Sequence, residues 1–405
     1  MSNSFMECKE SEVPDGWEVR RLEEVIASGG LAYGIVQPGQ DDPGGVPMLR
    51  VTDIRGGRVR EDSVIRVSPD VDSEYGRTRL SGGEVLLSIV GSVGRVALVS
   101  RTLAGWNVAR AIAVIRPQDV SSAWIRLCLT SELAQHCMEM WQTNTVQATL
   151  NLRDVRRLPI ILPPRRDRDA IVEVIEVLDS KISVNEELAL MCDTLRTLSL
   201  REFFLTREAA EYAVRPLSSV AEFVNGRAFT KDARGVGRMV VRIAEINSGP
   251  SSSTIYNDIN VPDRHLVRPG EILFSWSGTL RVARWYRSEA IINQHIFKVV
   301  PCVGIPVWLA FELTLMKLAD FQSIAADKAT TMGHIQRKHL DEPVLVPSGD
   351  EIPALDRRLR PLWERALVAE QEALTLAELR DALLPKLMSG EVRVRDAEKI
   401  VEDVT

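Results

Sequence analysis

The strongest constraint on this chain of 405 residues is that it repeats itself. In the first half an opening segment WEVRRLEEVI (17–26) leads to MLRVTDI (48–54), LSGGEVLLSIVGSVGRVALV (80–99) and NVARAIAVIRP (107–117). A helix-patterned run from Trp124, the polar stretch TNTVQATLNLRDV and the strand-like PIILPP (159–164) follow. The second half gives RPLSSVAEFV (215–224), MVVRIAEI (239–246), VRPGEILFSWSGTLRVARW (267–285) and NQHIFKVVP (293–301) in the same order. WLAFELTLMKLADF (308–321), KATTMGHIQRKHL (328–340) and PVLVP (343–347) complete it. The offset falls from 195 (Leu22 to Leu217) through 187 (Gly83 to Gly270) to 184 (Trp124 to Trp308, Arg196 to Arg380). Landmarks kept in order at a period that drifts by only about a dozen residues mark a duplicated structural unit that lost residues in its loops.

Each half ends in a stretch patterned as a long helix. Residues 165–204 contain no glycine and no proline. Ile171, Ile175, Leu178 and Ile182 recur at steps of four and three, and Leu188, Met191, Leu195 and Leu198 resume that rhythm after a slip near Asn185. Such spacing lays one narrow apolar stripe along a helix of roughly 55–60 Å, which needs a partner to cover it. The equivalent stretch 354–388 offers Leu355, Leu359, Leu362, Ala366, Ala373, Leu376, Leu379, Leu383 and Leu387. Pro353 and Pro361 predict a late start or a kink there, and Pro385 a break. The two stripes can cover each other in an antiparallel pair; packing of each helix on its own unit is the alternative.

Composition narrows the class. Hydrophobic residues make up 45% and charged residues 26%, ordinary for a soluble globular protein. The N-terminal MSNSFMECKESEVPDGW has neither a basic nor an apolar signal region, so no signal peptide is expected, and no apolar run reaches membrane-span length. The five scattered cysteines have no metal or redox spacing and fit a reducing cytosol. A net charge of −6 argues against a generic nucleic-acid binder, but residues 76–118 hold six arginines and one acid. Residues 264–298 hold five arginines and Lys298 against Glu271 and Glu289, while 165–205 carries nine acids and six bases.

The stretch richest in chemistry is the pair GEVLLSIVGSVGRVA and GEILFSWSGTLRVA. Each runs from an apolar strand to a serine (Ser88, Ser275), then a small-residue turn (Gly91, Ser92 and Gly94; Ser277, Gly278 and Thr279), then an arginine (Arg95, Arg281). Glycines and hydroxyls let backbone approach a ligand, and arginine grips phosphate or guanine. Asn107 with Arg110, and Asn293, Gln294 and His295, add side chains able to pair with base edges. Aligning the two segments sets Asn107 against Asn293. Lys338 stands in a polar, locally basic stretch suited to phosphate contact. The competing reading is a plain hairpin with surface arginines. The sequence has no phosphate loop, no HExxH and no complete dinucleotide fingerprint, and Asp179–Ser180–Lys181 lies within the helical stripe rather than in a nuclease site.

In this order, twice, LPP with the IVEVIEVLDSKISVNEEL helix, LRDALLPKLMSGEVRV, GEILFSWSGT and NQHIF resemble the specificity (S) subunits of type I restriction-modification systems. The resemblance implies an α/β (α+β) fold with pseudo-two-fold symmetry. Target-recognition domains at 1–164 and 206–347 are separated by conserved helical regions at 165–205 and 348–390 that form an antiparallel coiled coil, with a tail at 391–405. It implies a non-catalytic reader of a bipartite double-stranded DNA site, whose helices set the spacing and dock two methylase subunits. No cofactor is expected on this chain; S-adenosylmethionine belongs to the methylase, and ATP and Mg to the restriction/translocase partner. The expected setting is the prokaryotic cytoplasm, with no membrane. A single-chain DNA methyltransferase or nuclease, and a coiled-coil scaffold without DNA binding, are the alternatives.

Overall fold

A computed structural model describes residues 14, 16–61, 64–144, 147–206, 212–231, 233–326 and 333–403. The KATTM part of the second polar stretch lies outside them. The chain divides into two compact units, 1–179 with 378–405, and 180–377. These boundaries run through both long helices, so each unit owns one copy of the sequence repeat and a segment of each helix.

The repeat holds in the principal sheets. The first unit has a four-stranded antiparallel sheet in the order Ile26–Tyr33, Ile112–Pro117, Val85–Ser88, Val96–Leu98. The second has Ala221–Asn225, Ile296–Pro301, Ile272–Ser275, Arg281–Arg284 in the same order. A second small sheet carries a parallel pair in each, Met48 beside Asn107 and Val240 beside Ile291. A two-stranded ribbon closes each unit, Glu18–Arg21 with Pro159–Leu162 and Tyr212–Pro216 with Pro343–Pro347. The central strands are continuous apolar runs buried on both faces, which is why they lack alternation. A Cβ on Gly34 would sit 1.9 Å from the Val108 carbonyl oxygen, and one on Gly226 2.0 Å from that of Asn293, so both crossings require glycine.

The helix expected from Trp124 is two helices, Ser122–Thr130 and Glu132–Trp141. Ser131 ends the first in an extended conformation and caps the second by accepting from Ala134 N–H. The second unit also has two, Val307–Met316 and Leu318–Ala326. Residues 391–405 are not a featureless tail: Val394–Glu402 is a helix that buries Ala397 and Val401.

The long helices run Arg165–Thr206 and Ile352–Met388. The second is assigned helical throughout, across Pro361 and Pro385, and Pro353 fits because it sits at the second helical position, where its missing N–H costs nothing. The expected slip near Asn185 is absent. The buried stripe of the first helix continues in unbroken heptads through Asn185, Ala189, Cys192, Arg196, Ser199 and Phe203. Leu188 is half-buried, and Met191, Leu195 and Leu198 are exposed at 65%, 53% and 55%. Small and polar residues took over the seam, and following hydrophobicity alone led to the wrong face. Ile171, Ile175, Leu178 and Ile182 are buried as expected. In the second helix Leu355, Leu359, Ala366, Ala373, Leu376, Leu383 and Leu387 are buried, Ala369 joins them, and Leu362 and Leu379 are half-buried. The two stripes are the same positions shifted by 184. Within the second unit Ala189 and Cys192 cluster with Ala366 and Ala369, and the Arg196 guanidinium lies 5.0 Å from the Trp363 ring. Increasing number on one helix meets decreasing number on the other, so the segments pack antiparallel.

Candidate nucleic-acid interface

The glycine turns are built by their serines. Ser88 Oγ donates to the Ser92 carbonyl at 2.5 Å and accepts from Arg95 N–H at 2.8 Å. Ser275 Oγ donates to the Thr279 carbonyl at 2.6 Å and accepts from Arg281 N–H at 2.9 Å. Both serines are fully buried. They hold the turn shut and leave no group for a ligand, which corrects their reading as contact residues. Gly91 and Gly278 take positive φ at the turn tips, 79° and 65°. Ser277 is buried, whereas Ser92, Gly278 and Thr279 are exposed.

Arg95 and Arg281 are equivalent despite the one-residue difference in turn length. The Arg95 guanidinium donates to the carbonyls of Val51 and Ile54 at 3.2 and 3.4 Å, and that of Arg281 to the Asn247 carbonyl at 3.3 Å. Each ties its turn to the helical segment after the parallel strand. That segment is itself pinned by an acid: Asp53 accepts from Arg50 N–H at 2.8 Å, and Glu245 from Arg242 N–H at 2.9 Å. Burial raises the Glu245 carboxyl, but the Arg242 side chain and N–H and the Thr254 hydroxyl outweigh it and hold the group below its usual range. Both turn arginines remain exposed with further N–H groups to offer.

Asn107 is not a ligand residue. It is fully buried, accepts from Thr78 Oγ1 at 2.7 Å and donates to Asp72 at 2.8 Å. Asn293 is also buried, its side-chain oxygen accepting from Phe229 N–H at 3.2 Å. Nor do the two asparagines correspond. Ala109 N–H donates to Leu49 as Asn293 N–H donates to Val241, and Arg110 N–H donates to Ile35 as Gln294 N–H donates to Arg227. Ile89 donates to Ala111 as Trp276 donates to His295. Backbone bonding therefore pairs Arg110 with Gln294, a shift of 184, where a shared asparagine had suggested 186.

Arg110, Gln294 and His295 are exposed, and His295 takes a φ of 72°. Lys338 is exposed and lines an open groove with Arg337, Glu222 and Asp341. Sequence reasoning missed the aromatic floor. Trp276 donates from its indole to Asn225 Oδ1 at 2.9 Å, and its ring lies 5.1 Å from His295 and 6.4 Å from His334. The strand position of Asn225 is held by Tyr33 in the first unit, half exposed. The Trp in FSWSG was a visible signal, overlooked because its flanking serines drew attention. Among the described residues no His/Cys/Asp/Glu group could hold a metal, and no helix is long and apolar enough to cross a membrane.

The sequence profile of the type I restriction modification DNA specificity domain matches residues 14–189. The EcoBI specificity subunit of a type I restriction enzyme from Escherichia coli is 30% identical over 41% of this chain and 35% of its own length. A putative MjaX specificity subunit from Methanocaldococcus jannaschii is 21% identical over 46% of this chain and 45% of its own. The matches thus span less than half of either relative. The S subunit of a type I restriction-modification system from M. genitalium aligns over 92% of this chain and 96% of its own, at a TM-score of 0.55 and 15% identity, and so shares the fold. Residues 14–189 match the type I restriction modification DNA specificity domain, and the chain as a whole shares its fold with the M. genitalium S subunit.

Proposed function

We propose that this chain is the DNA-sequence reader of a type I restriction-modification complex, each unit reading one half of a bipartite site. The observation that carries this is the repeated surface: two copies of one fold present a stapled turn, an exposed arginine and an exposed base-pairing side chain at the same backbone positions. Phosphate contacts from Arg95, Arg281 and Lys338 would position the duplex, and base contacts would select it. Ser92, Gly278 and Thr279 allow close backbone approach.

The chain also carries a surface suited to protein docking. Val184, Met191, Leu195, Leu198 and Leu205 recur at heptad steps on the outer side of the first long helix, all exposed. A contiguous apolar stripe of this kind marks an interaction site. Methylase subunits bearing S-adenosylmethionine are its proposed occupants, with ATP and Mg confined to a restriction subunit. The chain itself is proposed to be non-catalytic.

Replacing 212–347 with the equivalent segment of a relative should change one half of the methylated motif in the assembled complex; a change in both halves overturns one reader per unit. Purified alone with methyl donor and mixed DNA, the chain should show no turnover. Binding by the complex should weaken steeply as salt rises, as counterion release requires.

A further inference from the structure

Arg110 and Gln294 occupy one structural position. Three successive backbone hydrogen bonds match, one at this position and one at the residue on each side of it, while the side chains differ. Among the described residues neither the guanidinium nor the amide makes a hydrogen bond or ion pair, and both are exposed. Elsewhere in the same loops polar side chains are committed: Ser88, Asn107, Ser275 and Asn293 to the fold, Arg95 and Arg281 in part to backbone carbonyls. Among the described polar residues of these loops, these two combine equivalence, exposure and an unspent planar set of hydrogen-bonding groups. Their chemistry differs in a defined way. Arginine donates two parallel bonds to guanine O6 and N7, whereas glutamine donates to N7 and accepts from N6 of adenine.

The walls differ as well. Gln294 is flanked by His295, whose ring stands against Trp276. Arg110 is flanked by Ala111, with Ile89 at the Trp276 position. The long guanidinium thus has the more open setting, and the shorter amide stands beside an aromatic wall that would limit how a base approaches it.

We propose that Arg110 and Gln294 are matched specificity residues, Arg110 reading guanine in one half-site and Gln294 reading adenine in the other. This rests on the DNA-reading function proposed above. The full chain should be co-expressed with its methylase partner, its motif mapped by methylated adenines in genomic DNA and by selection from randomised duplexes. R110Q is expected to convert one G·C pair of one half-site to A·T or to leave it degenerate. Q294R is expected to do the reverse at one pair of the other half, all other positions standing. R110A and Q294A should each lose discrimination at that same pair, a drop of roughly five- to 150-fold. Wild-type motifs from both exchange variants overturn the proposal. So does a uniform loss of affinity in R110A with a shallower salt dependence, which marks a phosphate contact. If an exchange variant no longer binds, the alanine variants decide, with circular dichroism confirming the fold. Failure of the wild-type complex to select any bipartite motif would instead sink the DNA-reading function itself.

Discussion

The two units share a backbone and differ in how they treat the arginine on their helix seam. In the second unit Arg196 is fully buried. It donates to Glu312 at 2.8 Å and Asp193 at 2.6 Å, while Arg284 bonds Asp193 and Glu370 and lies 4.5 Å from the Trp363 ring. Burial holds the carboxyls of Glu312 and Glu370 above their usual range even against these arginines. In the first unit the equivalent Arg380 meets Asp179 at 2.9 Å, which also pairs with Arg126, but its side chain is 26% exposed and Cys128 stands where Glu312 does. Burial pushes the Cys128 thiol up to about 12, so it fills space and carries no charge. One duplication thus produced a dry ionic interior and a wet one. A buried ion pair costs desolvation of both groups, and its worth lies in the damage done when one partner is lost.

That contrast sets the largest expected effect. Glu312→Ala leaves Arg196 buried with one acid shared, and should destabilise the second unit by about 3–5 kcal/mol. Asp179→Ala leaves Arg126 and Arg380 within reach of water and should cost the first unit about 1 kcal/mol. Hydrogen-exchange protection of each unit in the intact chain reads both. Equal losses would show that burial of the network does not matter.

A smaller effect comes from the tryptophans. Trp124 and Trp308 are both fully buried at equivalent positions. The Trp124 indole donates to the Ile161 carbonyl at 2.7 Å, and the Trp308 indole to the Asp356 carboxylate at 2.8 Å. Both Trp→Phe substitutions lose the same atoms, so packing loss largely cancels. A hydrogen bond to a charged acceptor contributes about 1 kcal/mol more than one to a neutral carbonyl. Trp308→Phe should therefore cost about 1 kcal/mol more than Trp124→Phe, measured by the same protection factors; an equal or reversed order would show that Asp356 is satisfied by Arg360 alone.

Legibility in the sequence followed the physics of each residue. The duplication, both long helices and the strand cores were readable because hydrophobic periodicity and glycine placement are local. The seam beyond Ile182 was not, because Asn185, Cys192, Arg196 and Ser199 are buried by tertiary contacts that a search for leucines passes over. The serines of the turns were read as ligands because a hydroxyl beside glycine looks the same whether it staples backbone or meets a partner. Asn107 and Asn293 looked equivalent by identity, and only backbone bonding showed that Arg110 and Gln294 are the matched pair.

The smallest effect isolates a difference in buried polarity. His265 in the second unit is 2% exposed, and neither ring nitrogen has a partner among the described residues. The corresponding place in the first unit holds Thr78, whose hydroxyl is satisfied by Asn107 and the Tyr75 carbonyl. Burial above all, then the charges of Arg227 and Arg264, push the His265 imidazole below its ordinary value. The folded unit therefore keeps the ring neutral while the unfolded chain takes up a proton near pH ~6.5. Its contribution is intact above that pH and is lost as pH falls from there toward the depressed folded value. Between pH ~7.5 and ~5.5 carboxylates in the usual range are still ionised. Glu312 and Glu370, held above it, oppose the trend by taking up protons in the folded state. The part due to His265 is therefore the acid-induced loss of protection in the second unit by which the wild type exceeds His265→Phe. His265→Phe, which keeps a flat ring against Phe229, should remove this downward acid dependence whatever it does to absolute stability. A slope that survives the substitution would assign the acid sensitivity to another group and leave His265 as inert filling.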